Sequence, residues 1–528
     1  PAGGPYTLTV TDSGYTKTCR GVYVGEVFVV AGQSNAEWSV YESDNNRDTL
    51  RKFNNQTRVR LFRPMSLRAT TPRYDAETKW ELAYDEYSEH ILGSASAIGV
   101  FCVQKLMEIN PELKTIKIGI IQMTYGGTSI ELFLPDCVNE KNHLVQRDHE
   151  FIASGCWNGY MDGITPYAAK ALMYYQGENS WHLGYQYEPM LRDYIWGIRK
   201  EFTDPSLPIM LVQLCGYGNN YGQDSDSWPI IREIQMRVAN TTDHVGLVTA
   251  VDLADQDPLN IHPTSKRPIG DRLAYLAMDM VYGRDAGRQS PVMTGYTLEG
   301  NVFRVEFDAL ELSIKEDAIG DVAFEIQNPA GEWIPAQARV EGNTVLIWDE
   351  RTLGPLGVRY AWANYPKACL YDEEDLPVLP FNTTKDLYTP LSPGGTDALH
   401  LKKAYHLLYD NDAVINLSRN NAFRYVKAVN AYMLQYTDPI PGQSAGDRIV
   451  LLRRQGQSIG EAGTTETLVN IPSHGLTAGD WIKNMKYDTM TQVLEVIDGD
   501  TVRVENVPHQ SNGNVFEVYK NMGTVTAE

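Results

Sequence analysis

Residues 22–285 predict an α/β domain, a doubly wound parallel sheet with helices on both faces, followed by smaller β domains. Short apolar runs recur through this region with stretches of helical periodicity between them, the alternation that lays helices over a parallel sheet. Each run closes on small or polar residues. From about residue 291 the texture changes to alternating strands divided by Gly, Pro and acidic turns, the mark of antiparallel pairing.

In chain order, residues 1–21 are rich in strand formers and are expected to pack on the accessory β domain. Residues 22–290 form the α/β domain, with strands predicted at "VFVVAG" (27–32), "IKIGIIQM" (116–123), "ALMYYQG" (171–177), "PIMLVQL" (208–214) and "VGLVTAVD" (245–252). Ile98, Phe101, Val103, Leu106 and Met107 lie at helical spacing before a stop at Pro111. Leu191, Tyr194, Ile195 and Ile198 do the same before Pro205. Residues 291–385 read as an antiparallel β domain through "NVFRVEF", "VAFEIQ" and "NTVLIWD". Residues 386–440 are expected to be a helical or irregular linker or oligomer contact, with "LHLKKAYHLLY" (399–409) at helical spacing. Residues 441–528 return to short strands, and Asp498-Gly499-Asp500 marks a hairpin turn.

The bulk numbers remove several function classes. With 46 Lys and Arg against 67 Asp and Glu, the formal charge of −21 repels nucleic acid and anionic membrane surfaces. No apolar run approaches the roughly 20 residues of a membrane-spanning helix, so a soluble protein is expected. The six cysteines are far apart with no CxxC pair, which argues against a zinc site and a disulfide scaffold and for buried thiols. No carboxylate and histidine cluster has metal spacing, so neither metal nor cofactor is expected. The chain opens on Pro1 and Ala2 without a basic-then-apolar leader, as a mature chain or a fragment of a longer one would.

In a parallel sheet, reacting groups collect on the loops at the carboxyl ends of the strands. Ser34, Gly127, Glu178 and Asp252 all close or follow predicted strands. A serine becomes a nucleophile when a base takes its proton and donors await the oxyanion. His262 is the base candidate, with Pro263 expected at the first position of the following helix, whose N-terminus would keep the imidazole neutral. Trp38, Tyr125, Trp157 and Trp181 stand near these motifs and are read as packing before they are read as a sugar platform.

"GEVFVVAGQSN", "IGIIQMTYGGTSIELFLP", "WNGYMDGITPYAAKALMYYQGENS", "IHPTSKRPIGDRLA", "GVRYAWANYP" and "LPVLPFNTT", in this order, resemble the sialate O-acetylesterase branch of the SGNH hydrolases over roughly residues 1–385. The resemblance implies an SGNH-type fold and a carbohydrate O-acetylesterase, with Ser34 as nucleophile and His262 as base. It also implies oxyanion donors from the backbone N–H groups of Ser34 and Gly127 and the amide of Gln176. Relatives often carry an aspartate two residues before the histidine, where this chain has Asn260. Glu178 is then the favoured acid partner, with Asp257, Asp255 or a Ser–His dyad as alternatives.

"IPSHGLTAGDWIKN" and "VLEVIDGDTVRVENV" resemble small β modules of bacteriophage tail and other virion proteins. Together with the esterase they suggest a virion-borne tailspike, expected as a homotrimer attached to a phage tail, that deacetylates an O-acetylated bacterial surface polysaccharide such as O-antigen or capsule. Two other readings stand beside this: a secreted or periplasmic sialate or xylan esterase, and a glycan-binding adhesin whose esterase site has decayed.

Overall fold

The computed structural model describes residues 2–44, 58–135 and 154–387, apart from positions 13, 65–67, 74–77, 84–88, 219–226, 285 and 287. It also describes Val138 and the segments 398–399, 413–416, 426–429, 433–436, 448–462, 468–470, 476–484, 489–498, 501–504 and 514–526. The chain divides into two compact units. One holds Pro1–Pro135, Ser154–His182 and Tyr194–Thr389, and the other Asp136–Ala153, Leu183–Asp193 and Pro390–Glu528.

In the first unit, β1 (Gly3–Asp12) and β2 (Tyr15–Val24) pair as an antiparallel hairpin, among the described residues only with each other. Every residue of β1 is exposed, so the segment does not pack on the accessory β domain as the sequence suggested. Its apolar residues Tyr6, Leu8 and Val10 alternate with threonines and form too thin a stripe to require burial.

The α/β core is a seven-stranded sheet ordered β5-β4-β6-β3-β7-β8-β9. Its strands are β3 (Glu26–Gly32), β4 (Val59–Phe62), β5 (Glu81–Leu82), β6 (Ile118–Thr124), β7 (Ala171–Tyr175), β8 (Ile209–Gln213) and β9 (Val245–Thr249). All pairings are parallel except that of the edge strand β5 with β4. Central β3 is continuously apolar from Val27 to Ala31 because both of its faces are covered, and Val29, Val30 and Ala31 are wholly buried.

Neighbouring residues of β9 show the double winding. A side chain at Gly246 would collide with Leu276 and Met280 of the helix Arg267–Met280, while Leu247 packs against the cluster that contains Met236 of the helix Ser227–Thr241. Helices therefore cover both faces, as predicted. The helix Ala97–Ile109, capped by Ser96, lies close against Arg267–Met280. A Cβ on Gly270 would come within 2.4 Å of the Phe101 Cβ.

The accessory domain has two four-stranded antiparallel sheets. One is β10 (Met293–Glu299), β11 (Val302–Phe307), β16 (Thr344–Trp348) and β15 (Gln337–Glu341). The other is β14 (Trp333–Pro335), β13 (Phe324–Gln327), β17 (Gly357–Tyr360) and β19 (Phe381–Asn382). They share a core that includes Phe303, Val305, Ile326, Val345, Ile347, Val358, Tyr360 and Phe381, and Val251 of the α/β domain joins it. The Asn364 side chain accepts from Trp228 N–H at 3.1 Å, and the Tyr365 hydroxyl donates to the Asp255 carbonyl at 2.6 Å. "GVRYAWANYP" therefore ties the two domains together.

In the second unit, the described parts of residues 386–440 are strands: Ala398–Leu399, Ala413–Asn416, Val426–Val429 and Met433–Tyr436. This corrects the helical expectation there, although most of "LHLKKAYHLLY" lies outside the described residues. The C-terminal module is antiparallel, dominated by the pairing of Arg448–Ala462 with Asn514–Thr526. Thr489–Val496 and Thr501–Val504 pair around the predicted hairpin, and Ile482, Val493, Val502 and Val504 form a small core.

Of the cysteines, Cys102, Cys156, Cys215 and Cys369 are buried thiols and Cys19 is exposed; Cys137 lies outside the described residues. Among the described residues no helix is long and apolar enough to cross a membrane.

Candidate active site

Ser34 stands where β3 breaks off in the middle of the sheet. Gly32 has φ +133°, and a Cβ there would lie 2.0 Å from the Tyr175 carbonyl oxygen, so the turn accepts only glycine. Gln33 N–H then donates to that same carbonyl at 3.1 Å, and Ser34 opens the four-residue helix Ser34–Glu37. The turn after β6 lies against it, since a Cβ on Gly126 would be 3.7 Å from the Ser34 Cβ.

His262 Nε2 is 2.8 Å from Ser34 Oγ, although 228 residues separate them. With Nε2 accepting the hydroxyl proton, the neutral ring carries its own hydrogen on Nδ1. Trp38 stacks on the imidazole, with centroids 4.9 Å apart and planes at 21°. Burial, then the Lys266 ammonium, hold the His262 pKa below the ordinary imidazole value, against an opposing pull from Glu42. This keeps the ring a neutral base.

The source of that neutrality differs from expectation. The helix begins at Arg267, with Pro268 in its first turn, so Pro263 is a loop residue and not the first residue of the helix. The loop turns because the Thr264 carbonyl is taken by Lys266 N–H at 2.9 Å and Asp44 N–H at 3.1 Å.

None of the proposed acid partners bonds to the His262 ring, and among the described residues Nδ1 makes no hydrogen bond. Glu178 is buried, and its Oε1 accepts from Asn35 Nδ2 at 2.6 Å. Burial raises its carboxyl pKa against the lowering effect of that hydrogen bond. Asp255 accepts from the Asn260 amide at 3.0 Å and from Asp257 N–H at 3.1 Å, and Asp257 accepts from Leu259 N–H at 2.9 Å. Both carboxylates are thus spent on the loop. Asn260 turns its Oδ1 onto His262 N–H at 3.0 Å, a local turn that holds the backbone and leaves the ring alone. Asp252 is used elsewhere, in a two-pronged ion pair with Arg272 at 2.8 and 2.7 Å.

On the oxyanion side, Gly127 has φ +63° and faces open space where a Cβ would sit, and Asn179 Nδ2 holds its carbonyl at 2.9 Å. Among the described residues neither Ser34 N–H nor Gly127 N–H has an acceptor, so both remain available as donors. Gln176 departs from expectation. Its fully buried amide faces Ser180 Oγ at 2.8 Å, the Thr128 carbonyl at 3.2 Å and Gln33 Oε1 at 3.3 Å, so its donors brace the turn from beneath.

Asn35, Lys266 and Asn179 were not foreseen from the sequence, and Trp38, named there as packing or a sugar platform, packs on the His262 ring. Asn35 follows Ser34 in "GQSN" and Lys266 lies four residues after His262 in "IHPTSK", and their polar side chains beside the two candidate residues were the available signal. Trp157, by contrast, is buried packing, as read.

Residues 24–279 match the family model described as "Carbohydrate esterase, sialic acid-specific acetylesterase". The chain is 22% identical over 446 residues to the sialate O-acetylesterase of Rattus norvegicus, covering 72% of this chain and 82% of that protein. A carbohydrate acetylesterase from Xanthomonas citri superposes with a TM-score of 0.63 at 27% identity, covering 72% of this chain and 86% of that one.

Proposed function

We propose that Ser34 and His262 perform acyl transfer as a dyad in a carboxylic ester hydrolase acting on O-acetylated carbohydrate, a reading supported by the match of residues 24–279 to the carbohydrate esterase, sialic acid-specific acetylesterase family. The observation that carries this is the 2.8 Å contact between Ser34 Oγ and His262 Nε2 at the carboxyl edge of the sheet. As Ser34 Oγ attacks the acetyl carbonyl carbon, its proton passes to Nε2, and the oxyanion takes hydrogen bonds from Ser34 N–H and Gly127 N–H. Collapse breaks the bond to the sugar oxygen, which receives the proton from His262. Water then enters, gives a proton to the same nitrogen and attacks the acetyl-enzyme, releasing acetate and restoring Ser34.

The substrate we propose is an O-acetylated bacterial surface polysaccharide, with the chain acting as a trimeric tailspike. The likeness of the C-terminal sequence to virion β modules supports this reading. So does a cavity of about 520 Å³ whose lining includes Glu37, three residues after Ser34, with Glu42, Glu81 and one guanidinium, Arg63. Such a wall accepts sugar hydroxyls and disfavours an anionic sialate. The rival reading is a secreted or periplasmic sialate or xylan esterase, and the name of the rat relative favours its sialate form. A decayed adhesin is disfavoured by the Ser34–His262 contact.

NMR of acetate release from lipopolysaccharide, acetylated xylan and O-acetyl sialic acid separates these. Release from lipopolysaccharide first supports the tailspike reading, and preference for O-acetyl sialic acid overturns it.

A further inference from the structure

We propose that Lys266, Asn35 and Glu178 form a buried, charge-linked brace that positions His262 and keeps its imidazole neutral. The inference rests on the reading of Ser34 and His262 as nucleophile and base, and adds three positioning residues to it. None of the three bonds to Ser34 Oγ or to the His262 ring.

Lys266 and Asn35 are wholly buried and Glu178 is 1% exposed. Asn35 Nδ2 donates to Glu178 Oε1 at 2.6 Å and to the Ile261 carbonyl at 3.0 Å, while its Oδ1 accepts from Lys266 Nζ at 2.6 Å. An ammonium only donates and a carboxylate only accepts, so the two charges admit one orientation of the amide between them. That orientation leaves the second N–H of Asn35 aimed at the Ile261 carbonyl. The peptide group joining Ile261 to His262 is therefore held at its oxygen by Asn35 and at its N–H by Asn260.

The brace also sets the field at the base. The charged groups that act on the His262 ring are Lys266, which disfavours imidazolium, and Glu42, which favours it. Lys266 in turn faces Glu178 from the loop after β7, Cys215 from the end of β8 and Glu42, and its Nζ lies 5.6 Å from the centre of the Trp38 ring that stacks on His262. Burial lowers its pKa to about 8, so the ammonium persists at neutral pH. A charge buried this deeply is tolerated only with a partner, and Glu178 supplies one through the amide.

Two variants test the brace. Lys266→Gln keeps a donor for Asn35 and removes the charge; Lys266→Met removes both. With p-nitrophenyl acetate, Lys266→Gln is expected to move the acid limb of kcat/KM to higher pH. Lys266→Met is expected to lower kcat by roughly 10²-fold, as a displaced catalytic group does, with KM little changed. An acid limb unmoved in Lys266→Gln, or wild-type kcat in Lys266→Met, overturns the proposal. Should Lys266→Met fail to fold, Lys266→Gln decides alone. An NMR titration of the His262 ring in both wild type and Lys266→Gln reads the same shift without turnover, so loss of the esterase reading and loss of the brace remain distinct results.

Discussion

At the residue scale, the site depends on which groups His262 can reach. Its pKa lies below the ordinary imidazole value of about 6.5, so the neutral, basic form persists as pH falls and protonation waits for more acid conditions. The acid limb of kcat/KM should therefore lie below 6.5, about where a free imidazole titrates, and a limb above that would contradict the geometry. Trp38→Leu should lower kcat by about tenfold or more, because the ring loses the face against which it is oriented, and steady-state kinetics read it directly. Glu178→Gln keeps an acceptor for Asn35 and should cost far less than the roughly 10⁴-fold seen when a triad acid that bonds the base is neutralised. A loss on that larger scale would return Glu178 to direct contact with the base. Ser34 and His262 were legible because motif and strand order converge on them. The neighbours of His262 were not, since Asn35, Trp38 and Lys266 acquire their roles only once the fold has buried them together.

Elements were more legible than their junctions. The five predicted strands recur within a few residues because continuous apolar runs have no other stable place than the middle of a covered sheet. Strands Val59–Phe62 and Glu81–Leu82 went unpredicted; they are short, lie at one edge and are only partly buried. The start of the helix Arg267–Met280 was misplaced because two prolines compete for its first turn, and tertiary hydrogen bonds to Thr264 decide for the later one. This helix packs so closely on Ala97–Ile109 that Gly270→Val should destabilise the fold by about 1–3 kcal/mol, or more if the helices cannot part. A lower urea midpoint with unchanged slope is the expected result.

For the whole molecule, the formal charge is −21 and the proposed catalytic groups Ser34, His262 and Gly127 all lie in the first unit. The sequence foresaw the α/β domain and the β domain after it, since patterning reports burial. It expected helical or irregular chain over 386–440, where Ala413–Asn416, Val426–Val429 and Met433–Tyr436 are strands that pair with distant partners or with each other. Sedimentation equilibrium of the full chain should give three times the chain mass if the tailspike reading holds, and a monomer would contradict it. The central claim is that Ser34 and His262 form the acyl-transfer dyad, and acetate release from an O-acetylated polysaccharide by wild type and Ser34→Ala tests it most directly. Wild type is expected to release stoichiometric acetate and Ser34→Ala to stay at the uncatalysed background; undiminished release by Ser34→Ala would rule out the dyad.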